Sequence, residues 1–180
     1  MARLVEAGLA QFAGLPGEMT VAAWLAGRRH MDGTPGLACP PGLVSVDVML
    51  ADGALETLGP FGASGGLPLR SATGQALIPA LYMLSGRPGA AWCRGQAAWP
   101  ARYRLDALNP LPPAEANLAG LLAGHEGALA WIESVVLQAV AAAGSGQVQA
   151  TPYPAEARAL DAHIKDAFDP AGLYPEAPLP

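Results

Sequence analysis

Ser64 is the residue of this chain whose setting most resembles that of a catalytic nucleophile. It lies in Gly62-Ala-Ser-Gly-Gly66, which matches the Gly-x-Ser-x-Gly pattern of a nucleophile elbow. That chemistry needs a buried strand before the serine and a helix directly after it. Pro60 precedes the motif and Pro68 follows it, so the sequence favours a loop at this position.

A serine nucleophile would also need a histidine, and the chain has three, each without an obvious partner in sequence. His30 lies among turn residues, His125 is predicted at the start of a helix, and His163 lies on an exposed or half-buried helix face. A histidine acts as a base only when a partner positions it. His125-Glu126 also lacks the second histidine that a helical zinc site requires. We therefore predict structural roles for all three.

The remaining reactive side chains form no recognisable site. Cys39 and Cys93 are far apart in sequence, with no second thiol beside either, so reduced structural thiols are predicted and no metal site. Asp161 and Asp166 are too far apart on a helix to share a proton. No acid–base pair is predicted.

Composition limits the classes of function. The chain has 180 residues, 52% of them hydrophobic, and a net charge of −5, which suits one domain or two small ones sharing a core. No apolar run approaches the roughly 20 residues that a membrane helix needs. Glu6 interrupts the first apolar stretch and argues against a secretory signal. We expect a cytoplasmic protein without membrane insertion, and the absence of a basic patch argues against nucleic acid.

The clearest local pattern predicts a β-hairpin over residues 43 to 59. Apolar residues alternate with other side chains from Val44 to Leu50, and Asp52-Gly53 supplies two positions suited to a positive φ. A two-residue turn would place Leu50 opposite Leu55. It would also place Val48 opposite Thr57.

Helices are predicted over 2–13, 74–84 and most of 114–144, with a strand pair between residues 92 and 105 and a linker at 109–113. The core stripe of the 114–144 helix includes Ile132 and Val136. The fold class is α+β: a small, mainly antiparallel sheet covered by the helices at 74–84 and 125–143. The linker at 109–113 is the predicted boundary between a sheet-containing unit over 1–108 and a helical C-terminal segment over 114–180.

The last part of the chain is an amphipathic segment that ends abruptly. Residues from Ala159 onward are predicted to form a helix that stops at Asp169-Pro170, because a residue before proline is disfavoured in the helical region. The sequence Phe168-Asp-Pro-Ala-Gly-Leu-Tyr-Pro175 resembles the C-terminal Phe-Asp-Pro-x-Gly-Ile-Phe-Asn-Pro pattern of the FAD-linked oxidase family.

Two internal stretches carry the same resemblance. Residues 43–53 are similar to the family's Val-Leu-Gly-Val-x-Val-Val-Leu-Ala-Asp-Gly strand, and residues 15–21 resemble the opening of the strand before its flavin loop. Further on, the family's Gly-Tyr-Asp-Leu and Gly-Ser-x-Gly motifs are echoed by Gly74, Leu77, Leu81, Ser85 and Gly89.

The resemblance implies a reduced FAD-linked oxidase fold, made of the second flavin subdomain and a shrunken C-terminal cap. It implies FAD as cofactor and a relation to glycolate-type 2-hydroxy-acid oxidoreductases. The positions that match the flavin-binding motif are Gly74, Ser85 and Gly89. The implied partner is an oxidoreductase subunit or a second copy of the chain.

The family's phosphate-binding loop is missing from this sequence. Such a loop holds a pyrophosphate with glycine backbone N–H groups, and no Arg-Gly-Gly-Gly-Thr segment occurs here. Pro40-Pro41 replace the family's Arg-Asp pair, and Arg87-Pro88 remove a further backbone donor. We predict that the chain alone binds FAD weakly or not at all. Whether it is an enzyme stays open, and the alternative is a non-catalytic protein that binds a partner subunit or a small ligand.

Overall fold

The computed structural model describes residues 1–62, 65–141 and 153–177. Its α-helices are α1 (Ala2–Glu6), α2 (Val21–Ala26), α3 (Ala72–Ser85), α4 (Pro88–Arg94) and α5 (Ala155–Phe168). Its strands are β1 (Leu43–Met49), β2 (Leu55–Leu58), β3 (Phe61–Gly62), β4 (Gly65–Gly66) and β5 (Trp131–Leu137). Short 3₁₀ turns lie at Ala10–Phe12, Arg28–His30, Leu105–Leu108 and Leu118–Leu122. The predicted α+β class is confirmed.

The predicted hairpin is present, but its register differs by one residue. β1 and β2 pair antiparallel with Met49 opposite Leu55 and Val48 opposite Glu56. The connection has three residues instead of two, because the Leu50 N–H donates to the Ala54 carbonyl at 2.9 Å. Of Asp52 and Gly53, only the glycine has a positive φ, +83°. The predicted pairing of Leu50 with Leu55 is therefore wrong.

The segment predicted as the long helix 125–143 contains a strand instead. β5 pairs antiparallel with β1, placing Val46 opposite Val135 and Val48 opposite Ile132, so the sheet order is β2-β1-β5. The spacing of the apolar residues in this segment is typical of a helix. Its β-branched and aromatic residues, however, favour a strand, and β1 provides the neighbouring strand with which it pairs. Val136 is 48% exposed. The predicted helical core stripe through this residue is wrong.

A layer of irregular chain lies between the sheet and the helices. The turn Leu118–Leu122 packs on β1 and on the turn Leu105–Leu108, which packs on α3. Residues 101–108 and 118–125 are buried throughout. No strand occurs at residues 92–105, where a pair was predicted, and α4 occupies residues 88–94. The C-terminal segment adds β5 to the sheet, so it is not purely helical.

The helices α3 and α5 pack against each other and bury one face each. The prediction of α3 is confirmed, and its first turn is capped because Ser71 Oγ accepts the Gly74 N–H at 2.9 Å. Pro79 lies inside α3, and the helix continues through it. Buried faces are formed by Leu77, Ile78, Leu81 and Leu84 on α3, and by Ala157, Leu160, Ile164 and Phe168 on α5.

The N-terminal part is less regular than predicted. The expected helix over 2–13 is broken after α1 by Gly8, whose φ is +92°. Residues 15–21, which resembled the opening of a strand, form turns that lead into α2. Thr20 caps α2 by accepting the Ala23 N–H at 3.1 Å.

The tail has the predicted stop. α5 ends at Phe168, and the Asp169 carboxylate accepts the backbone N–H groups of Leu173 and Tyr174, both at 2.8 Å. Gly172 takes a positive φ of +64°, which allows the chain to turn there. The Tyr174 hydroxyl then donates to the Met49 carbonyl at 2.7 Å. The tail is thereby fixed to one end of the sheet.

Candidate functional site

The three positions that matched the flavin motif do not lie together. Gly74 is in the first turn of α3 and Ser85 is its last residue, so about 16 Å of helix axis separates them at about 1.5 Å per residue. Gly89 lies at the start of α4, close to Ser85 in the chain. The Ser85 hydroxyl donates to the Tyr82 carbonyl at 2.8 Å.

The N-terminal end of α3 holds an internal carboxylate. Glu56 of β2 accepts the N–H groups of Arg70 at 3.0 Å and Ser71 at 2.9 Å, and the Ser71 hydroxyl at 2.8 Å. Burial tends to raise the pKa of Glu56, but these donors outweigh it and lower the pKa overall. A Cβ on Gly74 would lie 2.5 Å from a Glu56 oxygen. Because Glu56 fills the anion-binding end of α3, this position does not fit an FAD pyrophosphate.

Two of the other sequence candidates fall outside the described part of the structure: Ser64, and the side chain of His30. His163 is exposed, and its Nδ1 lies 2.6 Å from the Ala159 carbonyl of its own helix. This carbonyl is a hydrogen-bond partner for Nδ1 within α5, and it is not a catalytic partner.

The thiols and carboxylates give no reactive cluster. Burial raises the pKa of both Cys39 and Cys93 to about 11, so these thiols stay protonated at neutral pH. Among the described residues no group of histidine, cysteine and carboxylate side chains could hold a metal ion. Within the same residues, no helix has the length and apolar character needed to cross a membrane.

His125 differs from the sequence interpretation. It was predicted at a helix start, but it lies in a tight turn of residues 124–127 that follows the 3₁₀ turn at Leu118–Leu122. We call these four residues the His125 turn. Gly124, Glu126 and Gly127 have φ values of +74°, +52° and +81°. Glu126 is the only non-glycine residue with positive φ in the described chain, a conformation that costs about 1–3 kcal/mol and clusters at functional sites.

Backbone contacts hold the His125 turn against the end of α2. The Gly124 N–H donates to the Leu25 carbonyl at 2.8 Å, and the Glu126 N–H donates to the Ala26 carbonyl at 3.0 Å. The Glu126 carboxylate also pairs with Arg102 at 3.0 Å. These contacts fix the strained backbone, so the position of His125 is determined by α2.

The imidazole of His125 is buried without a partner. The residue is 2% exposed, and neither Nδ1 nor Nε2 has a hydrogen-bond partner in the structure. Burial lowers its pKa from 6.5 to about 4, so the ring is neutral at pH 7. A neutral imidazole has one donor and one acceptor. Leaving such groups unpaired in the interior costs about 1–3 kcal/mol each.

His125 lies in the wall of an apolar pocket of about 360 Å³. We call it the His125 pocket. α2 contributes Ala22 and Ala26, and the sheet contributes Trp131 and Ile132. The tail closes a third side with Tyr174 and Pro175. The lining contains no lysine, arginine, aspartate or glutamate.

A buried lysine connects the tail to the chain beside the His125 turn. The Lys165 ammonium donates to the Ala128 carbonyl at 2.9 Å, to the Tyr174 carbonyl at 3.1 Å and to Asp169 at 2.6 Å. The tail forms one wall of the His125 pocket. It is therefore held in place by Lys165 and Asp169, the same side chains that lie at the end of α5.

Sequence reasoning missed this pocket, although one signal pointed to its turn. Gly124 and Gly127 flank His125-Glu126 and indicate a break in regular structure. The pocket itself depends on contacts between α2, β5 and the tail, and α2 lies more than 100 residues before the other two segments along the chain. No local pattern reports such contacts.

No family model, curated protein or solved structure matches this chain. The relation to FAD-linked oxidases therefore stays a prediction from the sequence. Function has to be argued from the geometry and chemistry of the His125 pocket.

Proposed function

We propose that this protein binds a small, uncharged, mostly apolar molecule in the His125 pocket, and that the ligand carries a hydroxyl or carbonyl group facing His125. The observation that carries the proposal is the buried imidazole without a partner in the pocket wall. The volume of about 360 Å³ falls in the usual range for small-ligand sites, about 300–1,000 Å³.

The chemistry of the ligand follows from the lining. Apolar side chains favour an apolar body, since they gain from excluding water. The lining offers no opposite charge to compensate a charged ligand, and transferring an unpaired charge from water is costly. A hydroxyl can pair with one ring nitrogen in either tautomer: it accepts if that nitrogen carries the proton and donates if it does not. Once the ring is turned towards the pocket, such a group would supply a partner for one of the two unpaired nitrogens of His125.

The proposed role is binding and not catalysis. A general base needs a second group that orients it, and His125 has no such partner among the described residues. The pocket supports recognition of a ligand by shape and by one hydrogen bond.

The experiment is an NMR titration with p-cresol, using toluene as the matched probe without the hydroxyl. The chain has three histidines, so the imidazole C–H signals can be assigned by single substitution. We expect p-cresol to shift the His125 signals in a saturable way. Toluene should bind about 3–10-fold more weakly, which corresponds to one hydrogen bond of about 0.5–1.5 kcal/mol.

The variant His125→Leu removes the polar group, and His163→Gln is the control at an exposed histidine. In His125→Leu, followed by the Trp131 indole signal, the affinity for p-cresol should fall to that for toluene. His163→Gln should behave as wild type. Equal affinities for the two probes in the wild type, or no change at His125 with either, would overturn the proposal.

A second candidate, a FAD-linked oxidase-like relative of glycolate-type oxidoreductases, is favoured by one observation. The tail forms the turn after α5 that the Phe-Asp-Pro-x-Gly pattern implies, with Asp169 bonded to the two N–H groups beyond Gly172. Its test is a titration of the chain with FAD, followed by tryptophan quenching. We expect weak or no binding by the chain alone. Stoichiometric micromolar binding that Ser85→Trp abolishes would instead favour the flavoprotein, acting alone or with a partner subunit.

A further inference from the structure

The residues that line the His125 pocket are of two main kinds. Four of the nine carry a ring: His125, Trp131, Tyr174 and Pro175. Four more are alanine or glycine, and among the described lining residues Ile132 is the single branched aliphatic one. Phenylalanine, tryptophan and tyrosine make up 6% of the chain, so two of them among nine lining residues is a local enrichment. The pocket therefore combines ring side chains with very small ones.

Trp131 is in the pocket wall but is not covered by the protein. It is 61% exposed, whereas Trp24 and Trp99 are buried and Trp92 is 38% exposed. An exposed indole does not gain the stabilisation that burial of its large apolar surface would give. A ligand in the His125 pocket would cover part of that surface.

The backbone of Met49 positions two of the ring residues. Met49 is the register partner of Trp131 across β1 and β5, and its carbonyl accepts the Tyr174 hydroxyl at 2.7 Å. The Tyr174 carbonyl in turn accepts from the Lys165 ammonium at 3.1 Å. The Trp131 backbone and the Tyr174 side chain are therefore fixed at one end of the sheet before a ligand arrives. Such preorganisation lowers the ordering cost of binding.

The opposite kind of surface is formed by α2 and the chain that precedes β5. Ala22 and Ala26 are four residues apart, so their methyl groups are neighbours on one helix face. Gly127 and Ala130 add no larger side chain. A flat ring can lie across this surface without displacing a side chain.

We propose that the His125 pocket selects an aromatic ligand, and that Trp131 is the residue that determines this preference. The inference rests on the proposed function and names its ligand class: an aromatic ring that bears the hydroxyl or carbonyl group facing His125. An aromatic ring against an indole gains stabilisation beyond that of the area it buries. A saturated ring of the same size does not obtain this additional stabilisation from Trp131.

The test compares p-cresol with 4-methylcyclohexanol, which carries the same two substituents on a saturated ring. In NMR titrations of the wild type, p-cresol should bind about 2–10-fold more tightly, which corresponds to one aromatic contact of about 0.5–1.5 kcal/mol. The methyl signals of Ala22 and Ala26 should also move upfield with p-cresol, because they would lie over the face of its ring. 4-Methylcyclohexanol has no ring current and should not cause this shift.

Two variants assign the preference to Trp131. Trp131→Leu keeps an apolar side chain and removes the aromatic face, so p-cresol and 4-methylcyclohexanol should bind it equally, as followed by the His125 signals. Trp92→Leu is the matched control, because Trp92 is an exposed tryptophan of α4 outside the pocket lining, and it should behave as wild type. Equal affinities for the two probes in the wild type, or a preference that is unchanged in Trp131→Leu, would overturn the inference.

The same titrations separate this inference from the proposed function. Preference for p-cresol over toluene depends on His125, and preference for p-cresol over 4-methylcyclohexanol depends on Trp131. His125→Leu should lose the first and keep the second, and Trp131→Leu should do the reverse. A wild type that prefers the aromatic ring but does not distinguish p-cresol from toluene would support the role of Trp131 and refute the hydrogen bond to His125. Absence of binding by all three probes would overturn both proposals.

Discussion

Replacing His125 with leucine is expected to stabilise the protein while removing its ligand selectivity. Leucine has a similar size and no polar atom, so it relieves the two unpaired nitrogens of the 2%-exposed ring. Each unpaired buried group costs about 1–3 kcal/mol, and an imperfect fit of the new side chain offsets part of the gain. We expect the free energy of unfolding at pH 7 to rise by about 1–3 kcal/mol. Groups retained at a cost in stability are typical of functional sites.

The same substitution should change the pH dependence of stability. The pKa of His125 lies at about 4 in the folded protein and near 6.5 when unfolded, so the unfolded chain binds the extra proton between these values. Protonation of His125 therefore does not reduce the free energy of unfolding above pH 6.5, and reduces it progressively as the pH drops towards 4. At about 1.4 kcal/mol per pKa unit, the loss approaches about 3 kcal/mol, and His125→Leu should lack it.

Urea unfolding between pH 7.5 and 4 measures both effects. His163→Gln serves as control, since that ring is exposed, and its stability curve should follow the wild type. A His125→Leu protein less stable than wild type by more than about 1 kcal/mol would mean that the imidazole has a stabilising partner. A pH dependence parallel to that of the wild type would refute the burial argument.

Three further predictions concern the fold. Ile164→Ala should cost about 2–5 kcal/mol because its side chain is 1% exposed, whereas Val136→Ala, at 48% exposure, should cost less than about 1 kcal/mol in the same urea assay. Gly74→Ala should lower Tm, because its Cβ would meet the Glu56 carboxylate at 2.5 Å, and Gly95→Ala, with no contact below 3.4 Å, is the control. Asp169→Ala should cost about 3–5 kcal/mol by leaving its buried lysine partner unpaired, and limited proteolysis should then cut the tail faster.

The sequence predicted elements whose signals are local. The alternation from Val44 to Leu50 identified β1, and the apolar spacing from Leu77 to Leu84 identified α3. The stop after α5 follows from Asp169-Pro170 alone. The predicted register of the hairpin was wrong by one residue, because a three-residue and a two-residue turn both place a glycine at Gly53, and only the backbone geometry distinguishes them.

β5 shows how tertiary context overrides a local pattern. Ile132 and Val136 are four residues apart, as on a helix face, so periodicity favoured a helix. Pairing with β1 gives these residues a strand conformation instead, and β-branched side chains are readily accommodated there. The identity of the partner strand, some 90 residues earlier, is not contained in the local sequence.

The candidate site was the least predictable part. His125 was recognised as one of three histidines, and the glycines that flank it indicate a turn but not a buried ring. The difference between His125 and His163 is burial and the absence of a partner. Both depend on how the His125 turn packs with β5, which follows it closely, and with α2 and the tail, which are distant in sequence. The sequence therefore identified the residue type and missed the pocket.

A crystal structure of the protein with p-bromophenol tests the central claim most directly, because bromine locates the ligand by anomalous scattering. The account predicts bromine inside the His125 pocket, between Trp131 and Pro175, with the phenol oxygen about 2.7–3.2 Å from a ring nitrogen of His125. An empty pocket at saturating p-bromophenol, or a ligand in the pocket whose oxygen points away from His125, would contradict it.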